Sequence, residues 1–224
     1  MFNLVIDAGH GGKDPGAIGN GLREKDINLN VALLLKEKLK KYNKDIKVVL
    51  TRENDTFLEL NERVVISNNN KADLFLSIHC NSAASNIAQG VETYCYNLSN
   101  NKGASLIHNH LIKDGLYTKD RKVKQGNFYV VKNTKAHAVL CELGFISNSE
   151  DAKILKNKQN DIAEAILKGV LDYFNINYQE EIKEPSEAKL WRVCLGTYSD
   201  IENARKVKQE AISKGFKDVF IVEK

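Results

Sequence analysis

The chain of 224 residues is about 1.5 times a ~150-residue domain, which predicts one full domain plus something smaller. Hydrophobic residues at 42% and charged residues at 28% exclude global disorder, and apolar runs such as 31–35 and 74–78 fall well short of the ~18 residues of a membrane span. The net charge of +4 divides as +4 over residues 1–178 (24 basic, 20 acidic), −3 over 179–188 (1 and 4) and +3 over 189–224 (8 and 5), too mild for a nucleic-acid-binding stripe.

Residues 2–8 read as a buried strand, ended by the Gly-rich stretch 9–21. Ile27, Val31, Leu34, Leu35, Leu39 and Tyr42 recur at helical spacing, so 26–42 is an amphipathic helix. A strand at 46–51, a helix at 58–69 and a strand at 74–79 follow, then a strand at 90–96 and a helix at 101–114. Residues 115–126 read as a short basic loop (Lys119, Arg121, Lys122, Lys124), and 127–132 with 138–143 as a pair of strands. Helices near 149–156 and 160–175 close the series. Strands alternating with helices predict an α/β domain over 1–177, with a twisted, mostly parallel or mixed sheet flanked by helices. Composition shifts at Tyr178: 178–188 is polar, acidic and contains Pro185, the mark of a linker. A strand at 190–197, a helix at 201–214 stopped by Gly215 and a strand at 218–222 make a small β-α-β unit over 189–224, below the ~40 residues at which a domain stands alone.

Cys80, Cys95, Cys141 and Cys194 include no CxxC pair and read as reduced thiols. Met1-Phe2-Asn3 runs directly into the first strand with no basic n-region, which predicts synthesis in the cytoplasm without a signal peptide.

In open α/β sheets functional groups gather at the carboxyl ends of strands. His10 follows the first strand, His79 ends the strand at 74–79 and Glu142 lies at the end of the apolar stretch 138–141, while Glu24 sits in the loop before the first helix. Two imidazoles and a carboxylate match the ligand set of a catalytic zinc, and a further carboxylate suits a general base. The spacings of 14, 55 and 63 residues are non-local, so at the level of residues alone a hydrogen-bonded structural histidine and a metal ligand both stand. Asp7 is a candidate for orienting a ligand imidazole, or a strand-end cap. His108 and His110, two apart on one helix, read as exposed, His137 as a surface residue at a strand edge, and Cys80 and Cys141 as buried packing.

Taken together, Asp7-Ala8-Gly9-His10-Gly11-Gly12, Glu24-Lys25, Ser77-Ile78-His79-Cys80-Asn81 and Cys141-Glu142-Leu143-Gly144-Phe145-Ile146-Ser147-Asn148 resemble, in that order, the zinc-dependent N-acetylmuramoyl-L-alanine amidases of bacterial cell-wall lysis; Tyr129-Val130-Val131-Lys132-Asn133-Thr134 is also similar. The resemblance covers about residues 2–176. It implies that His10, Glu24 and His79 hold Zn²⁺, that Glu142 is the catalytic carboxylate, and that peptidoglycan is cut between N-acetylmuramic acid and the L-alanine of the stem peptide. Some relatives carry an extra helix that plugs the active site; the short stretch 115–126 predicts none here. Residues 189–224 resemble a sporulation-related (SPOR) repeat, marked by Trp191, Gly196-Thr197-Tyr198, Asn203-Ala204 and the apolar end 219–222. The resemblance implies a peptidoglycan-binding tail, and its half length implies that two chains pair their tails into a homodimer. The alternatives are a zinc peptidase or deacylase of another substrate, or a catalytically silent wall-binding protein. With no signal peptide expected, the implied enzyme acts on the wall after release, in mother-cell lysis or through a phage holin.

Overall fold

The first apolar run forms β1 (Phe2–Ala8), buried on both faces from Leu4 onward, as a central parallel strand should be. A short hairpin, β2 (Ile18–Gly19) and β3 (Leu22–Arg23), leads into α1 (Glu24–Leu39), whose buried Ile27, Val31, Ala32, Leu35 and Leu39 make one helical stripe. Then come β4 (Ile46–Leu50), α2 (Leu60–Asn69), β5 (Leu74–Asn81), β6 (Val91–Cys95), α3 (Lys102–Lys113) and β7 (Asp120–Gln125). The series ends with α4 (Tyr129–Asn133), β8 (His137–Phe145), α5 (Ser149–Asn157), α6 (Gln159–Phe174) and α7 (Ile201–Ser213). The computed structural model describes residues 1–113, 115–179, 196–217 and 219–222. By contacts the chain divides into two compact units, Met1–Tyr178 and Gln179–Lys224.

Six strands form one mixed sheet in the order β4-β1-β5-β8-β6-β7. The first four are mutually parallel; β6 runs antiparallel to β8 and parallel to β7. Alternation along each strand builds two cores. Leu4, Ile6, Leu76, Ile78, Val139 and Leu143 face α1, α3 and α6. Val5, Phe75 and Leu140 face the other way, against Val64 of α2 and Val130 and Val131 of α4. Each fully buried side chain of this size contributes roughly 1.5–3 kcal/mol of hydrophobic stabilisation. Toward the carboxyl ends of β1, β5 and β8 this second face turns polar, with Asp7, Ser77, His79 and Glu142 at the positions that continue the alternation.

The expected strand pair at 127–132 and 138–143 is wrong in its first member. Val130 and Val131 favour a strand by type, yet they sit in α4, where a single helical turn turns both into the smaller core. A strand that was not expected, β7, lies inside the stretch read as a basic loop and pairs with the outer side of β6. It lies at the sheet's edge, and its Arg and Lys side chains are the usual protection of an exposed edge, which hides a strand from hydropathy.

His108 is buried rather than exposed, its Nδ1 bonded to Thr93 Oγ1 at 3.0 Å and its Nε2 to Asp120 Oδ1 at 2.9 Å. His110 is half-buried and pairs with Asp172 at 2.7 Å. His137 opens an interior strand and bonds Asn100 and Tyr173, away from the sheet's polar end. Cys80 and Cys141 are buried free thiols, as their apolar neighbours suggested.

In the second unit, Asp200 caps α7 by accepting from Glu202 N at 2.9 Å. The expected linker and the strand at 190–197 lie largely outside the described residues. Residues 219–222 form no ladder among the described residues.

Candidate metal centre and active site

Where β1 ends, its last carbonyls lose their strand partners, and two buried arginines take them up. Arg52 Nε donates to Ala8 O at 2.8 Å and its Nη2 to Gly9 O at 2.8 Å. Arg63 Nη1 donates to Ala8 O at 2.7 Å and its Nη2 to His10 O at 2.9 Å. So braced, His10 holds a left-handed backbone (φ 59°) that a non-glycine residue seldom adopts. Its Nδ1 donates to Asp14 Oδ2 at 2.8 Å, and Gly11 and Asp14 exchange backbone hydrogen bonds that close the turn. This fixes the tautomer and turns Nε2 inward. Asp14, rather than Asp7, is the carboxylate that orients this imidazole. Asp7 is wholly buried and accepts instead from Arg63 at 2.8 Å, Thr51 at 2.7 Å and Ser77 at 2.8 Å.

Glu24 is the first residue of α1, where the helix dipole favours a carboxylate. Ala17 N donates to its Oε2 at 2.8 Å and Cys80 N to its Oε1 at 3.0 Å. His79, near the end of β5, brings Nδ1 within 2.9 Å of Glu24 Oε1, and His10 Nε2 lies 3.1 Å from the same oxygen. One donor atom from each of His10, Glu24 and His79 thus falls within 4.8 Å of the others. A tetrahedral zinc with bonds of about 2.1 Å needs donors roughly 3.4 Å apart, so the set fits. Two glycines make the approach feasible: a Cβ on Gly9 would lie 2.2 Å from the His79 ring, and one on Gly16 (φ +65°) 2.6 Å from Glu24 Oε2.

Burial opposes ionisation of Glu24, but hydrogen bonds from His10 and His79 outweigh it and hold the carboxyl well below its usual range. Burial also opposes charge on His10, and Glu24 and Asp14 overcome it, lifting the imidazole to about 9. The cluster is therefore a negative field that attracts a cation.

Glu142 lies one strand from His79, directly opposite it in the β5–β8 register. Its Oε2 is shielded from solvent and has no hydrogen-bond partner among the described residues. Burial raises its pKa to about 7, partly opposed by His79. A buried carboxylate with a bare oxygen, set beside a convergent donor set, is what a hydrolytic site requires of its proton-transfer group.

The sequence reading missed Asp14, Arg52, Arg63 and Gly16. Asp14 sits four residues after His10 in the same glycine-rich loop, a local signal that was available. The arginines carry no such mark, because their role depends on which strand end they reach.

Fold and site are those of an α/β hydrolytic enzyme. Residues 4–172 match the family model Amidase_3, N-acetylmuramoyl-L-alanine amidase, and the chain belongs to that family. It is a peptidoglycan hydrolase. The sporulation-specific N-acetylmuramoyl-L-alanine amidase of Bacillus subtilis is 34% identical over 228 residues, covering 100% of this chain and 86% of that protein. The endolysin of Bacillus phage SPP1 is 38% identical over 187 residues, covering 79% of this chain and 68% of the endolysin. The solved catalytic domain of CwlV, an N-acetylmuramoyl-L-alanine amidase from Bacillus (Paenibacillus) polymyxa var. colistinus, superposes with a TM-score of 0.75 at 40% identity, covering 79% of this chain and 100% of that domain. No helix among the described residues is long and apolar enough to cross a membrane.

Proposed function

We propose that the chain cleaves the amide between N-acetylmuramic acid and the L-alanine of the stem peptide as a zinc enzyme, with His10, Glu24 and His79 as ligands and Glu142 as the proton-transferring carboxylate. The observation that carries this reading is the convergence of three donor atoms within 4.8 Å beside a carboxylate whose Oε2 has no partner. Zinc bound there supplies Lewis-acid polarisation of the scissile carbonyl and lowers the pKa of water toward ~7. Glu142 takes the proton of the attacking water at Oε2 and hands it to the departing L-alanine nitrogen. Asp14 keeps Nδ1 of His10 protonated, so that Nε2 is the ligand atom, and Arg52 and Arg63 hold the loop in place.

The test is digestion of purified peptidoglycan by the wild type and by Glu142→Gln, with products resolved by mass spectrometry. Free stem peptides with an L-alanine amino terminus, lost on chelation, restored by zinc and lost in the variant, are the expected result. Cleavage at another bond, or full activity in a chelator, overturns the reading.

The same proposal assigns 1–177 to catalysis, 178–188 to a linker and 189–224 to a wall-binding, SPOR-like unit that pairs with a second copy. Two observations support it. The alignment with the sporulation-specific amidase runs through the tail, and Ile201, Ile212, Phe216 and Val222 in the second unit are exposed. The same alignment favours action on the wall in mother-cell lysis over a phage endolysin's route. A full chain that stays at its single-chain mass in solution, as a chain ending at 178 does, would overturn the pairing.

A further inference from the structure

The row of the sheet that carries Glu142 continues beyond it. His79, Glu142 and Glu92 are direct cross-strand partners on β5, β8 and β6, so all three share one face, with neighbouring Cβ atoms about 5 Å apart. Glu92 is almost wholly buried, and all of its acceptor capacity is used. Asn81 Nδ2 and Tyr94 OH donate to Oε1, the latter at 2.9 Å; Arg121 Nε (2.7 Å) and Lys124 Nζ (2.5 Å) donate to Oε2.

A regular strand could not deliver both cations. Residues 121 and 124 are three apart, an odd number, and would point to opposite faces. Between Val91 and Thr93 of β6, however, β7 advances from Asp120 to Val123, one residue more than its partner. This bulge brings Arg121 and Lys124 to the same carboxylate. Lys122 pays the backbone strain of the bulge at φ 71°, and Asp120 braces it by accepting from Lys122 N at 2.8 Å. Asp120 is itself anchored by the buried His108, at 2.9 Å.

Two cations therefore share the one carboxylate of Glu92, and Asp151 is a further carboxylate in the field of Arg121. Only Nε of Arg121 is engaged; its Nη1 and Nη2 make no hydrogen bond among the described residues, and its guanidinium is stacked 4.8 Å from the Phe145 ring centroid. Neither cation bonds to Glu142. A planar fork, stacked and tethered by its inner nitrogen with its outer pair unsatisfied and partly exposed, is preorganised for a carboxylate.

We propose that Arg121, held by Glu92 and assisted by Lys124, is the subsite for a free carboxylate on the peptide side of the scissile amide. The direction follows from the strand order and rests on the function proposed above. The carbonyl belongs at the His10–Glu24–His79 cluster and the departing nitrogen at Glu142, so the stem peptide runs onward across β6 to β7.

The test uses the full chain with zinc and two soluble muramoyl peptides that differ only in whether the residue after L-alanine carries a free carboxylate or its amide. The wild type is expected to favour the free acid by roughly tenfold in kcat/KM, mainly through KM, the ratio that one charge-assisted contact of about 1.4 kcal/mol gives. In Arg121→Gln that ratio falls to near one, and Arg121→Lys, which keeps the charge and loses the fork, retains part of it. Lys124→Met, at a half-exposed position, lowers the ratio independently of any effect of the Arg121 variants on folding. A wild-type ratio near one, or a ratio that Arg121→Gln and Lys124→Met leave intact, overturns the subsite while turnover of both peptides leaves the hydrolase standing. No turnover of either peptide by the wild type overturns both together. Because the substrates carry no attached wall polymer, a preference for the acid also assigns the site to peptide carboxylate rather than to polymer phosphate.

Discussion

The His10–Glu24–His79 cluster and the Glu142–Glu92 pair meet on one sheet face, where His79 stands opposite Glu142, and are built in opposite ways. In the cluster nearly every polar atom is held: Asp14 on His10, backbone amides on both oxygens of Glu24, arginines on the carbonyls of the loop. In the pair, Glu92 carries four donors while its neighbour Glu142 keeps Oε2 bare. Burial raises one carboxyl to about 7, whereas hydrogen bonds from Lys124, Arg121 and Tyr94 outweigh burial and lower the other. The contrast teaches that hydrogen bonding is complete where geometry must be fixed and withheld at the carboxyl proposed to move a proton.

Substitutions that attack each side separately sharpen the contrast. The largest expected effect is Glu142→Gln, which removes the proposed proton acceptor without changing volume: on the proposed zinc mechanism kcat falls by about 10²–10⁴-fold, while zinc content measured by metal analysis stays at the wild-type level. Loss of zinc together with activity would move Glu142 into the metal cluster. Next, Asp7→Ala leaves Arg63 buried and without its carboxylate. The two side chains are 1% and 3% exposed, so unfolding in urea should show a loss of about 3–5 kcal/mol. A loss below 1 kcal/mol would show that the loop is braced by carbonyl contacts alone.

Asp14→Ala releases the His10 ring and is expected to weaken zinc binding by roughly 10–100-fold in a competition titration, with the fold intact. The smallest effect concerns Glu92. Its folded pKa is depressed, so its contribution to stability is complete above the unfolded carboxylate value of about 4.3 and is lost as the pH falls through the folded value. The Tm difference between wild type and Glu92→Gln should therefore be widest near neutrality and narrow on acidification. A difference that widens in acid would mean that the carboxyl is protonated in the folded protein.

Much of the architecture was legible because it is periodic. The buried strands β1, β5 and β8 and the helices α1 and α6 announce themselves by apolar spacing, and four polar residues at or beside their ends, His10, Glu24, His79 and Glu142, stand out in the sequence alone. The failures have particular causes. β7 is an edge strand dressed in charge, and α4 is a single turn whose valines answer to a neighbouring helix rather than to their own propensity. His108 looked solvent-exposed because its partners, Thr93 and Asp120, come from two strands that the helix α3 separates in sequence.

What the sequence by itself determined is therefore local: which segments bury one face or two, where strands stop, and which chemistry-bearing side chains stand at those stops. The tertiary structure decided who meets whom. It gave Asp14 rather than Asp7 to His10, sent Arg52 and Arg63 to the end of β1, and set Glu92 beside Glu142 with two cations behind it. Those pairings depend on strand order and register across sequence separations of tens of residues. Hydrophobic periodicity says which way a side chain points, but it carries no information about which strand will lie alongside.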